Sequence, residues 1–283
     1  KVSVYCLVYN HEKYLEKCLE GFVSQETNFD YEVVVHDDAS TDNSVNIIKK
    51  YASMYPDIIK PIYQKENQYS KSIPIIETYI FPILDGEYIA VCEGDDYWSD
   101  SQKLQIQVDF LEKNIDYAAC VHNTESRNVI TGETKLMYDS GCDKDLSIAD
   151  VLKGGNCCFH ISSILYRRQF AFNRPEFFDQ AKEFGDYPLA IYLASQGKVR
   201  FINRVMSVYR IQTESSWTKK MFLNPDLHLR HCESVINMLK SVDKYLNYEY
   251  RDLINRIILE TKYLMLTIRA DYKMMKSMPY REI

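Results

Sequence analysis

The sequence has few glycines, and none of them lies in the turn directly after the first predicted strand. Only nine glycines occur among 283 residues. The apolar, β-branched run 2–8 predicts a buried strand, and the chain reads L-V-Y-N-H at 7–11. A Rossmann dinucleotide-binding fold needs a glycine-rich turn here, because the backbone must approach the pyrophosphate closely. A Rossmann dehydrogenase is therefore a weak candidate, and so is a nucleotidyltransferase, whose first loop is rich in glycine and lysine.

The cysteines form no pattern that indicates a metal centre or a disulfide framework. None belongs to a C-x-x-C pair, and most lie within apolar segments. We therefore expect reduced core residues, as in a cytosolic protein, and no zinc site, because no Cys/His cluster has ligand spacing. The eight cysteines are Cys6, Cys18, Cys92, Cys120, Cys142, Cys157, Cys158 and Cys232.

Basic residues are not in excess, and long apolar runs are absent. The sequence has 34 Lys and Arg against 40 Asp and Glu, so a general nucleic-acid surface is not expected. No stretch has the length of a membrane-spanning helix, and the first residues lack a signal-peptide layout, which predicts a soluble, cytoplasmic protein. An acidic protein can still bind a nucleotide diphosphate through a divalent cation held by carboxylates.

Strands and helices alternate through the first part of the chain. Buried strands are predicted at 2–8, 31–36, 58–63 and 88–92. Amphipathic helices are predicted around 15–22, 45–55, 74–84 and 101–114. This alternation at βαβ length predicts an α/β protein with a mostly parallel central sheet flanked by helices.

Beyond residue 115 the pattern changes. Segments 117–125 and 129–138 predict a hairpin, and further strands are predicted at 162–166, 199–202 and 205–211. Helices are predicted near 148–152 and 187–195, and after Asn224 the pattern is helical almost to the end. The expected parts are therefore 1–115, 116–222 and a C-terminal helical extension, 223–283.

Three polar clusters follow predicted strands whose carboxyl ends share one edge of the sheet. They are Y-N at 9–10, D-D at 37–38 and E-G-D-D at 93–96. Ligands of open parallel sheets bind beyond these strand ends, so the clusters are expected to converge. Asp and Asn also end strands and cap helices without any function. We favour function for the acids Asp38, Asp95 and Asp96.

The adjacent Asp95 and Asp96 indicate a cation site. Two neighbouring carboxylates repel each other, and burial would raise a pKa unless a cation compensates. Asp38 has a different candidate role, because a carboxylate at the end of the second strand can accept the imide N–H of a uracil ring. Tyr9 offers an aromatic face for stacking on that ring.

Several motifs, in order, resemble family 2 glycosyltransferases with the GT-A fold. They are K-V-S-V-Y-C-L-V-Y-N at 1–10, E-V-V-V-H-D-D-A-S-T-D at 32–42 and G-E-Y-I-A-V-C-E-G-D-D-Y-W at 86–98. The E-G-D-D-Y-W segment, followed by K-L-Q-I-Q at 103–107, is similar to a bacterial subgroup of that family. Separated motifs in matching order, over about the first 220 residues, are far more specific than one short pattern.

This resemblance implies a set of nucleotide-binding residues. The nucleoside would be held near Leu7, Tyr9 and Asn10, with Asp38 at uracil N3. Asp96 would coordinate the Mn²⁺ or Mg²⁺ that bridges the diphosphate, with Asp95 near the ribose. Arg210 would suit a phosphate, although an arginine at the end of a strand is often only a salt-bridge partner.

One position departs from the family pattern. Arg210 lies in Y-R-I-Q-T-E-S-S-W at 209–217, where the family often reads Y-R-x-H, so Gln212 replaces a frequent histidine. If that histidine is a third metal ligand in relatives, the cation here would keep Asp96, phosphate oxygens and water.

On the acceptor side, the resemblance places a general base at Asp186, in E-F-G-D-Y at the start of a helix; a helix-capping aspartate is the alternative. Glu93, Trp98 and His160 are assigned to the acceptor or sugar side. For Trp98, packing beneath the metal loop is the alternative. For His160, it is a purely structural histidine.

The predicted function is therefore that of an inverting glycosyltransferase. It would move a sugar from a nucleotide diphosphate donor, with UDP favoured, to a hydroxyl of a glycan, lipid-linked or protein-linked acceptor. Segments 1–115 and 116–222 would be the nucleotide-sugar-binding and acceptor-binding halves of one GT-A domain. A non-catalytic nucleotide-sugar-binding protein is the alternative, although such a protein could lack Asp186.

The C-terminal helices are expected to pack on the catalytic body or on a second copy in a homodimer. Peripheral contact with an anionic membrane at the inner face of the cell is the alternative. The cations that would make it are Arg269, Lys273, Lys276 and Arg281.

Overall fold

The computed structural model describes residues 1–138, 140–155, 158–181, 184–214 and 217–275. Cys157, Lys276 and Arg281, which figure in the sequence predictions, lie outside these ranges. The chain forms two compact units. Unit 1 contains Lys1–Leu146, Phe159–Phe172 and Gly197–Ser215, and unit 2 contains Ser147–Cys158, Asn173–Gln196 and Ser216–Ile283. The predicted boundaries at 115 and 222 concern functional halves and stay predictions.

Unit 1 is built on one sheet, whose first strands are parallel. The strands β1 (Val2–Val8), β2 (Tyr31–Asp37), β3 (Ile59–Tyr63) and β4 (Tyr88–Val91) lie in the order β3-β2-β1-β4. The nearly continuous apolar runs of β1 and β4 reflect burial on both faces, as expected of parallel strands covered by helices, whereas the edge strand β3 is only partly buried. The helices of this unit are α1 (Leu15–Val23), α2 (Ser44–Met54) and α3 (Lys103–Lys113).

The central position of β1 brings two acidic loops together. Its neighbours β2 and β4 both run parallel to it, so all three strands end at the same edge. The Asp38 N–H donates to the Val8 carbonyl over 2.9 Å, and the Gly94 N–H donates to the Leu7 carbonyl over 3.0 Å. The D-D and E-G-D-D loops therefore flank the end of β1 on either side, as the sequence predicts.

The remaining strands make the sheet mixed. They are β5 (Tyr97–Trp98), β6 (Tyr117–Asn128), β7 (Thr134–Leu136), β8 (Lys144–Leu146), β9 (Leu165–Arg167) and β10 (Lys198–Ile211). β9 is antiparallel to both β4 and β6, whereas β6 and β10 are parallel. β6 and β7 form the predicted hairpin. β10 also pairs antiparallel with the two-residue β5, which directly follows the E-G-D-D segment.

Three local predictions differ from the structure. The segment predicted as a helix near 74–84 is a π-helical turn, Ile76–Ile80, followed by a 3₁₀ turn, Phe81–Ile83, because Pro82 has no N–H to continue a regular helix. The strand predicted at 162–166 is found at Leu165–Arg167, because the chain first makes a 3₁₀ turn at Ile161–Ser163. The two strands predicted at 199–202 and 205–211 are one strand with irregular register at the junction.

Unit 2 is mainly helical. Its helices are α4 (Ile148–Gly154), α5 (Asp186–Gln196), α6 (Trp217–Leu223), α7 (Pro225–Tyr245), α8 (Arg251–Ile268) and α9 (Tyr272–Met275). Within this unit, Phe177 packs against Tyr245, and the Tyr187 hydroxyl donates to the Leu152 carbonyl over 2.8 Å. No helix in the described ranges combines the length and the hydropathy that crossing a bilayer would require.

The described cysteines have free thiols, and the prediction that they are core residues does not hold for all of them. Most of them are buried, whereas Cys142 is exposed and Cys158 is half-buried. Cys18 and Cys92 lie beneath the E-G-D-D loop, where both thiols approach the Glu93 carbonyl.

Candidate active site

The E-G-D-D loop gathers three carboxylates at the edge of the sheet. Oxygens of Glu93, Asp95 and Asp96 lie within 4.8 Å of one another. Glu93 is exposed, Asp95 is half-buried, and Asp96 is only 1% exposed. The loop therefore places its most buried acid beside two acids that solvent and ligands can reach.

Asp96 has the features of a cation ligand. Its Oδ1 accepts the backbone N–H of Arg210 over 2.8 Å, while its Oδ2 is buried and accepts no hydrogen bond from the described residues. Burial, followed by the neighbouring Asp95, raises the pKa of the Asp96 carboxyl well above its usual value. A buried carboxylate oxygen without a donor is costly unless a cation compensates it, so this donor set fits a divalent cation.

Arg210 holds the loop from the opposite strand. Its Nη1 donates to the Asp95 carbonyl over 2.7 Å, and its guanidinium lies 4.5 Å from the centre of the Tyr97 ring. Two residues further on, Gln212 has a positive φ of 68°, and next to it the Thr213 hydroxyl donates to Asp95 Oδ2 over 3.2 Å. Arg210 therefore organises the E-G-D-D loop, a role that the sequence did not reveal.

His160 lies beside the predicted cation ligand. Its Nε2 is 3.7 Å from Asp96 Oδ2, and its ring stacks on Tyr209 at a centroid distance of 4.3 Å. Burial lowers the pKa of His160 to about 3, so the imidazole is neutral. Because the imidazole is neutral, the contact between His160 and Asp96 is not a salt bridge.

The predicted nucleoside-binding residues lie at the carboxyl end of β1 and in the turn that follows it. Leu7 is half-buried, and Tyr9 is 42% exposed. Asn10 has a positive φ of 58°, and its Oδ1 accepts the Thr41 N–H over 2.8 Å. Asn10 therefore joins the loops after β1 and β2.

Asp38 already carries structural hydrogen bonds. The carboxylate is 4% exposed, and its two oxygens accept the backbone N–H groups of Gln68, at 2.7 Å, and Tyr69, at 3.0 Å. Each carboxylate oxygen has a second lone pair, so these bonds leave capacity for a ligand donor. Asp38 thus orders the loop after β3 at the predicted base-binding position.

Trp98 has the contacts of a packing residue. Its ring is 2% exposed and makes an edge contact with Phe22, and its Nε1 donates to the Ser162 carbonyl over 2.9 Å. The side chain therefore presents no open face to a sugar, and the packing alternative fits this structure.

Asp186 is the first residue of α5, in unit 2. Its side chain is accessible to solvent, yet it lies among many protein atoms, and this desolvation raises the pKa of its carboxyl to about 6. A carboxyl with such a pKa can ionise and accept a proton near neutral pH. Its role as the base stays a prediction.

Two residues near the loop were not identified as site residues from the sequence. His11 packs so closely on Gly94 that an added Cβ would lie 2.8 Å from its Nδ1, which explains the glycine in the motif. Lys103 is fully buried, with Nζ 2.8 Å from Gln107 Oε1 and 4.2 Å from the centre of the Trp98 ring. The K-L-Q-I-Q motif could have indicated Lys103, because the lysine and the second glutamine of the motif form this buried pair.

These features define a class of protein. A central sheet flanked by helices, with a carboxylate loop at the ends of its parallel strands and a C-terminal helical region, is the GT-A type of nucleotide-diphospho-sugar transferase fold. The model of the family "Glycosyl transferase family 2" matches residues 3–174. The chain belongs to this family.

Among curated sequences, the chain is 31% identical to an uncharacterized protein of Mycobacterium tuberculosis, over 76% of the chain and 60% of that protein. Two further mycobacterial proteins match to the same extent, so the chain spans about 60% of the length of these three curated relatives.

Two solved structures have a similar fold. S. aureus TarS 1-349 in complex with UDP-GlcNAc has a TM-score of 0.60 at 15% identity, over 99% of this chain and 82% of that one. The mannosyltransferase PcManGT from Pyrobaculum calidifontis, in complex with GDP-Man and Mn²⁺, has a TM-score of 0.60 at 14% identity, over 99% and 77%.

Proposed function

We propose that the protein is a divalent-cation-dependent, inverting glycosyltransferase that moves a sugar from a nucleotide diphosphate donor to an acceptor hydroxyl. The observation that carries this proposal is the buried Oδ2 of Asp96, which accepts no hydrogen bond from the described residues and lies in one cluster with Glu93 and Asp95. In a family 2 glycosyltransferase, that arrangement is suited to binding a donor diphosphate through a cation.

Each side of β1 would bind one part of the donor. The end of β1 at Leu7 and the loops that contain Tyr9, Asn10 and Asp38 would hold the nucleoside, with the exposed Tyr9 ring against the base. Asp96 would hold Mn²⁺ or Mg²⁺, and Asp95 would lie near the ribose. When bound, the cation neutralises charge that develops on the departing diphosphate. Arg210 would support this site by fixing the loop and by adding positive charge next to the phosphates.

Asp186 would act as the general base. Its carboxylate would take the proton of the acceptor hydroxyl while the hydroxyl oxygen bonds to the anomeric carbon and the bond to the diphosphate breaks. A single displacement of this kind inverts the anomeric centre. The accessible side chain and the raised pKa of Asp186 both suit that role.

The nature of the donor is supported by the similar structures. TarS binds UDP-GlcNAc, and PcManGT binds GDP-Man with Mn²⁺. We favour a UDP-sugar, because Asp38 can accept the N3–H of uracil. The acceptor would be a hydroxyl of a glycan, glycolipid or glycoprotein in bacterial polysaccharide assembly. Membrane contact or dimer formation through the C-terminal helices stays a prediction.

A panel of nucleotide sugars tests this proposal. The protein is incubated with UDP- and GDP-sugars in Mn²⁺, Mg²⁺ or EDTA, and both its melting temperature and the release of nucleotide diphosphate are followed. We expect one donor to raise the melting temperature only with a divalent cation. Slow nucleotide release without acceptor would support a transferase. Tight binding with no turnover would support a binding protein, and no binding with any cation would refute both functions.

A further inference from the structure

The side chain next to Asp96 Oδ2 is the imidazole of His160. We propose that His160 Nε2 is a second protein ligand of the divalent cation, opposite the loop that carries Asp96. This proposal rests on the proposed function, since it concerns the cation that the donor requires. It changes the expected role of His160 from the acceptor side to the cation itself.

The distance between the two ligand atoms supports the proposal. Nε2 and Oδ2 are 3.7 Å apart. Two adjacent ligands of an octahedral ion at about 2.1 Å are about 3.0 Å apart, so a movement of well under 1 Å would bring both atoms onto one cation. Asp96 Oδ1 is already held by the Arg210 N–H, which leaves Oδ2 as the oxygen directed at His160.

A chain of buried hydroxyls favours the imidazole tautomer that a metal requires. His160 Nδ1 lies 2.8 Å from Ser162 Oγ, and the Ser162 hydroxyl donates to Ser207 Oγ over 2.9 Å. Ser207 in turn lies 3.0 Å from the Thr124 hydroxyl. Because Ser162 gives its only hydroxyl proton to Ser207, its oxygen can only accept from Nδ1–H. The lone pair of the neutral ring then remains on Nε2.

A competing contact exists, and it is longer. The Ser162 backbone N–H donates to Nδ1 over 3.3 Å, and this bond alone would favour the opposite tautomer, with Nε2–H pointing at Asp96. The 2.8 Å contact to the hydroxyl is the shorter of the two. Metal-bound histidines are commonly oriented in this way, because the ring nitrogen that does not bind the metal donates a hydrogen bond.

Stacking also fixes the position of the ring. The His160 ring lies on Tyr209, at an interplanar angle of 28°, and Tyr209 directly precedes Arg210 in β10. The same strand therefore positions both proposed ligands: Tyr209 supports the His160 ring, and Arg210 holds Asp96. An imidazole ligand also makes a chemical prediction, because Mg²⁺ is a hard cation that takes oxygen ligands, so a nitrogen ligand should disfavour Mg²⁺ relative to Mn²⁺.

Manganese binding tests this role without measuring activity. Free Mn²⁺ is titrated by electron paramagnetic resonance in the presence of UDP or GDP, and pulsed measurements on bound Mn²⁺ detect coupling to a ligand nitrogen. The main variant is His160→Asn, whose amide can replace Nδ1 at Ser162 but does not reach the position of Nε2. His160→Gln is a second variant, and His228→Asn, on α7, is the matched control.

We expect the wild type and His228→Asn to show the nitrogen coupling and His160→Asn to lose it. The dissociation constant of Mn²⁺ should rise by about tenfold to a hundredfold, and the preference for Mn²⁺ over Mg²⁺ should fall. Unchanged nitrogen coupling and affinity in a folded His160→Asn or His160→Gln variant would overturn the role of His160 and leave the proposed function intact. Failure of the wild type to bind any divalent cation with nucleotide would overturn both.

Discussion

The backbone N–H of Arg210 donates a 2.8 Å hydrogen bond to Oδ1 of Asp96, from a position 114 residues further along the chain. This bond occupies one carboxylate oxygen and leaves the other for a ligand. The sequence suggests Arg210 as a phosphate ligand, whereas in the structure it binds the E-G-D-D loop. Its backbone fixes Asp96, and its side chain binds the Asp95 carbonyl.

Replacement of Asp96 should remove cation binding. In Asp96→Asn, the buried position keeps its shape but loses the charge that attracts the cation, so the affinity for Mn²⁺ in the presence of nucleotide should fall by at least about 100-fold. Calorimetric titration of nucleotide with and without Mn²⁺ measures this loss. Asp57→Asn, at an exposed position after α2, should bind as the wild type does. Equal affinities in the two variants would contradict the assignment.

Asp186→Asn should separate turnover from binding. The variant lacks the proton acceptor, so turnover should fall by about 10²- to 10⁴-fold while the nucleotide affinity changes little. Asp226→Asn, in the first turn of α7, is the matched control for a purely structural aspartate. If both variants had a lower melting temperature and an unchanged turnover, Asp186 would be a capping residue.

The pH profile provides an independent measurement of the same residue. Since the pKa of Asp186 is raised to about 6, its carboxyl is protonated, and inactive as a base, below that pH. We expect kcat/KM to rise with pH up to about 6 and then to level off. A profile that stays flat down to pH 4.5 would mean that this carboxyl does not act as the base.

Asp38→Asn should lower both the stability of the loop after β3 and the affinity for nucleotide. An amide can accept only one of the two backbone N–H groups that the carboxylate now accepts, so the free energy of unfolding should fall by about 1–3 kcal/mol. If Asp38 also binds uracil N3, the affinity for UDP should fall more than the affinity for CDP, because cytosine N3 carries no hydrogen. Equal losses for the two nucleotides would leave Asp38 with its loop-ordering role alone. Denaturant unfolding and calorimetry measure the two effects.

Lys103 should make stability depend on pH. Burial lowers the pKa of Lys103 to about 7 from a usual value of 10.5, so above pH 7 the unfolded chain binds a proton that the folded protein does not. This residue should therefore add stability as pH rises from about 7 to 10, by up to about 1.4 kcal/mol per pH unit. Below pH 7 the folded state must instead bury the charge.

Lys103→Met provides the comparison, because methionine fills a similar volume without a titrating group. The difference in unfolding free energy between wild type and variant is measured at pH 6, 7, 8 and 9. The wild type should gain stability relative to Lys103→Met across this range. A difference that is constant with pH would mean that Lys103 keeps an ordinary pKa in the folded protein.

The parallel half of the fold was predictable from the sequence for a physical reason. Strands buried on both faces read as continuous apolar runs, and Val2–Val8 and Tyr31–Asp37 match their predicted positions closely. The carboxyl ends of such strands converge by geometry alone, so the meeting of the D-D and E-G-D-D loops followed from their places in the chain.

Contacts of long sequence separation were not predictable in this way. The pairing of the two-residue β5 with β10 depends on register within a strand whose irregularities have no local signal. The proximity of His160 to Asp96, and the bond from Arg210 to Asp96, depend on the same register. For Trp98, composition left two roles open, and only the position of the ring between Phe22 and Lys103 favours packing.

The pairing of β5 with β10 has a consequence for the empty and loaded forms of the enzyme. Tyr97 and Trp98 pair with Val208 and Ser207, so the acidic loop leads directly into a strand that is hydrogen-bonded in the sheet. Removal of the proposed cation by a chelator should then leave the surrounding backbone ordered, and amide hydrogen exchange at these two positions should be equally slow in both forms. Donor selection would begin from a rigid receptor, with any adaptation made by the incoming nucleotide.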